Sequence, residues 1–361
     1  MSIEYNVYRN NRFFESLDGV RFFSIVAVIW HHSMPEGVGE FFTRGFLGVD
    51  MFFVLSGYLI VTLLLREKDK QTISLKGFYI RRALRIFPLY FGVLFVIATG
   101  LFVFSGDKPE VNSYISLLPV YIFFLANFSL AHIPTMSIYW SLATEEQFYI
   151  LWPVLEKFLK KSTILFILAI VIFINQLINF GFFDNFIASL YGVEKVSLSI
   201  LDTTFTPICL GVLLAHLLHA KNTFAYFWKI LKYKFSSLAL FLLLILTIYY
   251  SPSDLSGFPR LLIQLVMLAW LASLVVRDDH WIAPFMTWSP IKRLGQISYG
   301  MYIFHLLTLH VARIILEKFN LYTFIWPFLA CLLLTVIVSE LSFRLYESPI
   351  LSLRKKFTPN R

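Results

Sequence analysis

"SLDGVRFFSIVAVIWHH", residues 16–32, decides how the chain is read. Its middle is as apolar as a membrane span, yet Asp18 and Arg21 stand at one end and His31 and His32 at the other. A helix surrounded by lipid cannot carry them, because a charge at bilayer depth costs at least about 2.5–3.5 kcal/mol. Helical periodicity offers a way out. Positions 18, 21, 25, 28 and 32 follow steps of three and four, so Asp18, Arg21 and His32 share one face. His31 is turned about 100° from that stripe, and Arg21 and His32 are about 16 Å apart along the axis. Such a helix belongs in a bundle with a polar interior.

The rest of the chain supplies the bundle. Of 361 residues, 58% are hydrophobic and 15% charged, against about 45–50% and about 25% in soluble domains. The apolar residues gather in eleven blocks, near 15–34, 45–65, 83–106, 115–131, 141–155, 162–181, 198–219, 235–250, 260–276, 297–316 and 323–346. Most are about 17–24 residues long, enough for a hydrocarbon core of about 30 Å. The fold class expected is an all-α polytopic membrane protein, a single domain over 1–361, since no loop is long enough for a soluble one. The net charge of +9 does not point to nucleic acid, because the basic residues sit in short loops between blocks, where they set membrane orientation. Cys209 and Cys331 lie inside apolar stretches and read as core residues, and no metal-ligand spacing occurs. No cleavage site follows the first block, so it is expected to remain as the first span.

Charge asymmetry sets the span number. The arm with Arg9 and Arg12, "REKDKQTISLKGFYIRR" (66–82), "HAKNTFAYFWKILKYK" (219–234) and "LRKK" (353–356) are basic. "PEGVGE" (35–40), "SGDKPE" (105–110) and "SPSDLSG" (251–257) are neutral or acidic. Keeping all basic segments inside requires about ten spans with both termini cytoplasmic. One of 115–131 and 141–155 then does not cross, and charge does not say which.

Further polar residues enter the spans. In "GFLGVDMFFVLSGYLI" (45–60), Gly45, Gly48 and Gly57 suit close helix approach. Asp50 needs a cation, either Arg21 or an arginine of the next span. In "FYIRRALRIFPLY" (78–90), Arg81, Arg82 and Arg85 either fix orientation or form a forked-donor site for phosphates. "YWSLATEEQFYILWP" (139–153) spaces Ser141, Glu145 and Tyr149 by four, with Glu146 on the neighbouring face. At least one carboxylate should meet a cation or a histidine. "ISYGMYIFH" (297–305) aligns Ser298, Tyr302 and His305, and His305 by itself reads as a core histidine.

Taken in order, these segments resemble the acyltransferase type 3 family of integral membrane acyltransferases. The pattern Leu-Asp-Gly-x-Arg, then ten residues, then His is met by Leu17 to Arg21 and His32; "YESP" (346–349) stands where the family often has Glu-Arg-Pro. Ser348 and Gly300 depart from the usual residues. The stand-alone form is expected, without an extracytoplasmic hydrolase-like domain. The resemblance implies transfer of an acyl group, usually acetyl, from acyl-CoA as co-substrate to a hydroxyl of a cell-surface glycan or glycolipid, in a bacterial cytoplasmic membrane and with no bound cofactor. On that reading His32 is the general base, since an imidazole with pKa near 6.5 can take a hydroxyl proton. Glu145, in preference to Glu146, would steady it, with Ser141 and Tyr149 in the supporting polar network. Arg81, Arg82 and Arg85 would hold CoA phosphates, and Arg21, paired with Asp18 or Asp50, would line the path. Either the pantetheine arm reaches into the bundle or an acyl group is relayed across. The rival reading is a secondary transporter, but neither inverted repeats nor paired broken helices are found in the sequence.

Overall fold

A computed structural model describes residues 2–11, 13–34, 39–104, 109–129, 133–193, 204–323 and 325–354. Among these residues the chain is helical, without strands. The helices are α1 (Ser2–Asn10), α2 (Ser16–Ser33), α3 (Glu40–Thr43), α4 (Leu47–Asp69), α5 (Leu75–Phe104), α6 (Pro109–Ile122), α7 (Tyr139–Phe158), α8 (Lys161–Asn179) and α9 (Asp184–Tyr191). There follow α10 (Thr206–His219), α11 (Lys221–Leu231), α12 (Ser236–Tyr250), α13 (Phe258–Val276), α14 (Ala283–Met286), α15 (Ser289–Gln296), α16 (Ser298–Lys318), α17 (Trp326–Ser342) and α18 (Ser348–Ser352). Each of the eleven apolar blocks contains a helix, as a bilayer demands of backbone that water cannot solvate. Positions 35–38, 105–108, 130–132, 198–203 and 324, together with Lys355 and Lys356, lie outside the described residues.

Six of these helical stretches are long and apolar enough to cross a membrane on their own, and α10 with α11 adds a pair bent by 102°. About ten spans were expected; α2 and α7 fall outside the six because of their polar residues, and α12 because of its length. Segments 115–131 and 141–155 differ in helix length. Helix α6 has 14 residues, about 21 Å, and stops at Ile122, where the chain turns through Phe124 at φ 55°. Helix α7 has 20 residues, about 30 Å, and can cross. Gln147 of α7 donates to the Phe124 carbonyl at 2.7 Å and to Asn127 Oδ1 at 2.8 Å.

The helices form two compact units. The first comprises Met1–His31, Gly37–Gln71 and Leu155–Gln296. Its centre is the pair α4–α10, where a Cβ on Gly57 would collide with the Ile208 carbonyl and one on Gly211 with the Val54 carbonyl. Gly48 of α4 and Gly45 in the turn just before it come equally close to Ser24 and Ala27 of α2. Asp50 is fully buried here and is bound by Arg260 of α13, through Nε at 3.0 Å and Nη2 at 2.8 Å, and by Gln264 Nε2 at 2.9 Å. This corrects the expected partner: neither Arg21 nor an arginine of the next span neutralises Asp50. Arg21 instead bonds Asp18 at 2.5 Å, and Gln296 reaches the other Asp18 oxygen at 3.4 Å. Glu156 and His216 form a further buried polar pair, with His216 Nε2 at 3.3 Å from the carboxylate and Nζ of the half-buried Lys68 at 3.5 Å.

The second unit comprises His32–Glu36, Thr72–Val154 and Ile297–Arg361. Helices α16 and α17 pack along a polar seam in which Thr308 and Thr335 share a hydrogen bond of 2.6 Å and Cys331 donates to the His305 carbonyl. Between α5, α6 and α7 lies a tyrosine cluster. Tyr90 donates to the Tyr121 carbonyl at 2.7 Å, Tyr114 to the Leu94 carbonyl at 2.8 Å, and the Tyr90 and Tyr139 rings meet at 4.8 Å. The Tyr90 and Tyr114 hydroxyls thus find backbone acceptors within the helices, whereas the buried Tyr139 hydroxyl has no hydrogen-bond partner among the described residues. One turn of π-helix, Phe343–Glu347, joins α17 to α18 and carries Glu347, buried and accepting from Ser342 Oγ at 3.0 Å.

Candidate active site

The second unit gathers most of the polar residues singled out in the sequence. At one end, His32 stands edge-on to His305 of α16, ring centroids 5.0 Å apart. His305 is fully buried, and its Nδ1 lies 2.6 Å from the Tyr302 carbonyl. A carbonyl only accepts, so the Nδ1 carries the proton and the Nε2 is the basic nitrogen of the neutral ring. One turn back, the Tyr302 hydroxyl shares a 2.6 Å hydrogen bond with Ser141 Oγ of α7. Ser141, Glu145 and Tyr149 recur at helical spacing, so the polar line continues down α7.

There it meets α5. Arg82 lies with its guanidinium 3.7 Å from Glu145, 3.5 Å from Glu146 and flat on the Tyr149 ring at 3.4 Å. A planar, weakly hydrated cation suits a buried site of this kind better than an ammonium would. The α5 backbone that holds it is tied to α16 and the π-turn: Tyr299 donates to the Ile86 carbonyl at 3.0 Å and Tyr346 to the Pro88 carbonyl at 3.1 Å. Pro88 cannot bond the carbonyl one turn earlier, and these tyrosines supply donors in that stretch.

Arg81 is half-buried and Arg85 exposed. Burial, with repulsion from Arg81 and Arg82, holds the Arg354 guanidinium below its usual range. Arg354 follows α18, and its basic segment read in the sequence only as an orientation signal. Gly300 of α16 has the Glu347 carboxylate beside it, where a Cβ would lie 3.4 Å from Oε1. Among the described residues no group of three or more His, Cys, Asp and Glu side chains is placed to hold a metal ion.

The structure therefore brings together His32, Ser141, Glu145, Glu146, Tyr149, Arg81, Arg82 and Arg85 in the second unit, while Asp18, Arg21 and Asp50 belong to the first. Two contacts were not anticipated: Arg82 lies against two carboxylates and an aromatic face, and His305 stands beside His32. Sequence reasoning put His305 on the face of Ser298 and Tyr302 but gave it no task. His31 lies apart from this geometry, with Nδ1 donating to the Thr43 carbonyl at 2.6 Å in the first unit.

Comparison with known proteins reaches the same place as the motifs. Residues 14–343 match the family described as an acyltransferase domain. A relative from Staphylococcus aureus strain COL, provisionally named an O-acetyltransferase, is 30% identical over 95% of this chain and 58% of its own length. The protein YrhL of Bacillus subtilis strain 168, provisionally named a peptidoglycan O-acetyltransferase, is 26% identical over 96% of this chain and 56% of its own length. The O-acetyltransferase OatA of Staphylococcus aureus strain NCTC 8325 is 29% identical over 96% and 58%. The chain thus spans less than two thirds of the length of these relatives. No solved structure matches it. With nearly the whole chain matched and the family's motifs at their spacing, the chain belongs to the acyltransferase-domain family of acyltransferase type 3 proteins.

Proposed function

We propose that the protein is a membrane O-acyltransferase that moves an acyl group, acetyl in the simplest case, from acyl-CoA to a hydroxyl of a cell-surface glycan or glycolipid precursor. The names of its relatives support the reaction class, and one relative's name offers peptidoglycan as an acceptor. The observation that carries the reading is the His32–His305 contact, with the Tyr302–Ser141 hydrogen bond beside it and Glu145, one turn along α7 from Ser141, paired with Arg82.

In this reading His32 takes the proton of the acceptor hydroxyl as its oxygen attacks the thioester carbonyl. The carbon–sulfur bond breaks, the thiolate leaves, and the proton on His32 returns to it, so atoms and charge balance. His305, its tautomer fixed by the Tyr302 carbonyl, orients the His32 ring and disperses the imidazolium charge. Glu145 and Glu146 act through Arg82, holding α5 against α7. Arg81 and Arg85, with Arg354 added, meet the CoA phosphates, for which forked guanidinium donors are suited. Arg21 keeps its place in the proposal only as the partner of Asp18. The distribution of basic loops favours a bacterial cytoplasmic membrane with both termini inside.

The test is purified protein with acetyl-CoA and a hydroxylated glycan acceptor, scored for free thiol and for acylated product by mass spectrometry. Thioester cleavage coupled to acyl gain on the acceptor supports the proposal. Acceptor or solute transport without cleavage would replace it by a transporter.

A further inference from the structure

Helix α11 is built unlike the spans. It leaves α10 at an angle of 102°, so where α10 runs along the membrane normal α11 lies close to the membrane plane. Its inner side is already filled. Phe224 is buried against the rings of Tyr5 and Tyr8 of α1, at 5.4 and 5.1 Å, and Leu231 is buried as well. Tyr5 also donates to the His219 carbonyl at 2.6 Å, clamping α1 to the end of α10.

The outer side is also apolar. Tyr226 and Ile230, one turn apart, are 67% and 72% exposed, and Tyr233 just beyond the helix is exposed too. Lys229 shares their face, with Nζ 5.7 Å from the Tyr226 ring, and Lys232 lies 5.3 Å from the Tyr233 ring. Lys221 opens the helix, exposed. Among the described residues Lys234 pairs with Asp279, but Lys221, Lys229 and Lys232 have no carboxylate partner. Helix α1 repeats the pattern: it turns Tyr8 inward and leaves Ile3 and Val7 exposed on the other side.

A thin stripe of tyrosine and aliphatic side chains bordered by ammonium groups matches a headgroup boundary, where tyrosines anchor and lysines meet phosphates. A protein partner of stable kind would call for a broader apolar patch with few lysines at its centre. We propose that the outer face of α11, seconded by α1, is a binding surface for anionic phospholipid headgroups, with Lys221, Lys229 and Lys232 as the cationic contacts and Tyr226 and Ile230 as the inserted groups. Each lysine near an anionic surface strengthens binding about five-fold, so three give on the order of a hundred-fold.

The experiment uses the full chain in nanodiscs of phosphatidylcholine, alone or mixed with phosphatidylglycerol. Thermal unfolding and native mass spectrometry of retained lipid are the readouts, and neither depends on enzymatic activity. The wild type should melt higher and retain phosphatidylglycerol in the mixed discs. The triple variant Lys221→Gln, Lys229→Gln, Lys232→Gln should melt as the wild type does in phosphatidylcholine and lose both effects in the mixture. Tyr226→Ser with Ile230→Ser should weaken retention with all lysines in place. Should the triple variant not fold, the exposed single variant Lys229→Gln should show about a five-fold loss. An equal phosphatidylglycerol response in wild type and variants, or none in either, overturns the proposal. So does efficient disulfide cross-linking of two copies through Tyr226→Cys in phosphatidylcholine, which would make a second copy the occupant.

Discussion

Replacing Asp50 by alanine should be among the most damaging single changes outside the candidate site. Asp50 and Arg260 are 0% and 1% exposed, and the guanidinium makes two hydrogen bonds to the carboxylate, joined by one from Gln264. Removing the carboxylate strands a buried guanidinium between α4 and α13. Breaking such a pair from one side costs about 3–5 kcal/mol. Using the slope for domains of 150–250 residues, about 2–4 °C per kcal/mol, the apparent Tm should fall on the order of 10 °C. The assay is heating in mild detergent followed by size-exclusion detection of the monodisperse fraction, on Asp50→Ala, Arg260→Met and the double variant Asp50→Leu/Arg260→Met. An apolar replacement of both partners is often neutral, so the double variant should recover most of the loss; Gln264→Leu should recover more, since the Gln264 amide then has no acceptor to miss. Additive losses in the double variant, or an unchanged melt for Asp50→Ala, would refute the view that this pair is a coupled, desolvated unit.

Further outcomes follow from the geometry. Gly57→Ala should lower the folded yield in membranes, by overpacking of about 1–3 kcal/mol, because the new methyl meets the Ile208 carbonyl; a wild-type yield would mean α4 and α10 separate easily. His305→Gln should reduce kcat while leaving KM for acyl-CoA unchanged and should shift the pH profile, a change that loss of packing by itself would not produce. Arg85→Ala and Arg354→Ala should each raise KM for acyl-CoA with kcat largely kept, measured over a full donor titration. Burial pushes His280 down to about 4 from 6.5, and the ring meets Ser16 Oγ at 2.9 Å. A folded-state value below the unfolded one means its stabilisation is complete above pH 6.5 and is lost as pH falls toward about 4. Melts across that window should therefore fall, and His280→Gln should fall less steeply.

The elements were legible because the bilayer writes them plainly: each apolar block became a helix, and Gly45, Gly48 and Gly57 mark true backbone approaches. The break after Ile122 was not, since Pro119 within α6 and the turn at Phe124 leave the apolar composition of 115–131 unchanged. At the site, periodicity aligned Ser141 with Glu145 and Tyr149, and Tyr302 with His305. It could not pair residues far apart in the chain. Asp50 and Arg260 are 210 positions apart, and the only sequence clue to the match is a charged residue at the start of the block 260–276. His305 was passed over because one histidine on an apolar face looks like packing until His32 is placed beside it. Arg354 was hidden by the double meaning of a basic segment at a helix end, which serves orientation whether or not it also meets a ligand.

The central claim is that His32 performs acyl transfer, and the most direct measurement is single-turnover thiol release from acetyl-CoA with acceptor present. Wild type, His32→Ala and His31→Ala should be purified side by side and matched for folded protein. Loss of a general base typically costs about 10²–10⁴ in rate, so His32→Ala should release thiol at least about a hundred-fold more slowly, while His31→Ala should stay near wild type. An active His32→Ala beside an inactive His31→Ala would contradict the account and move the chemistry to the other face of α2.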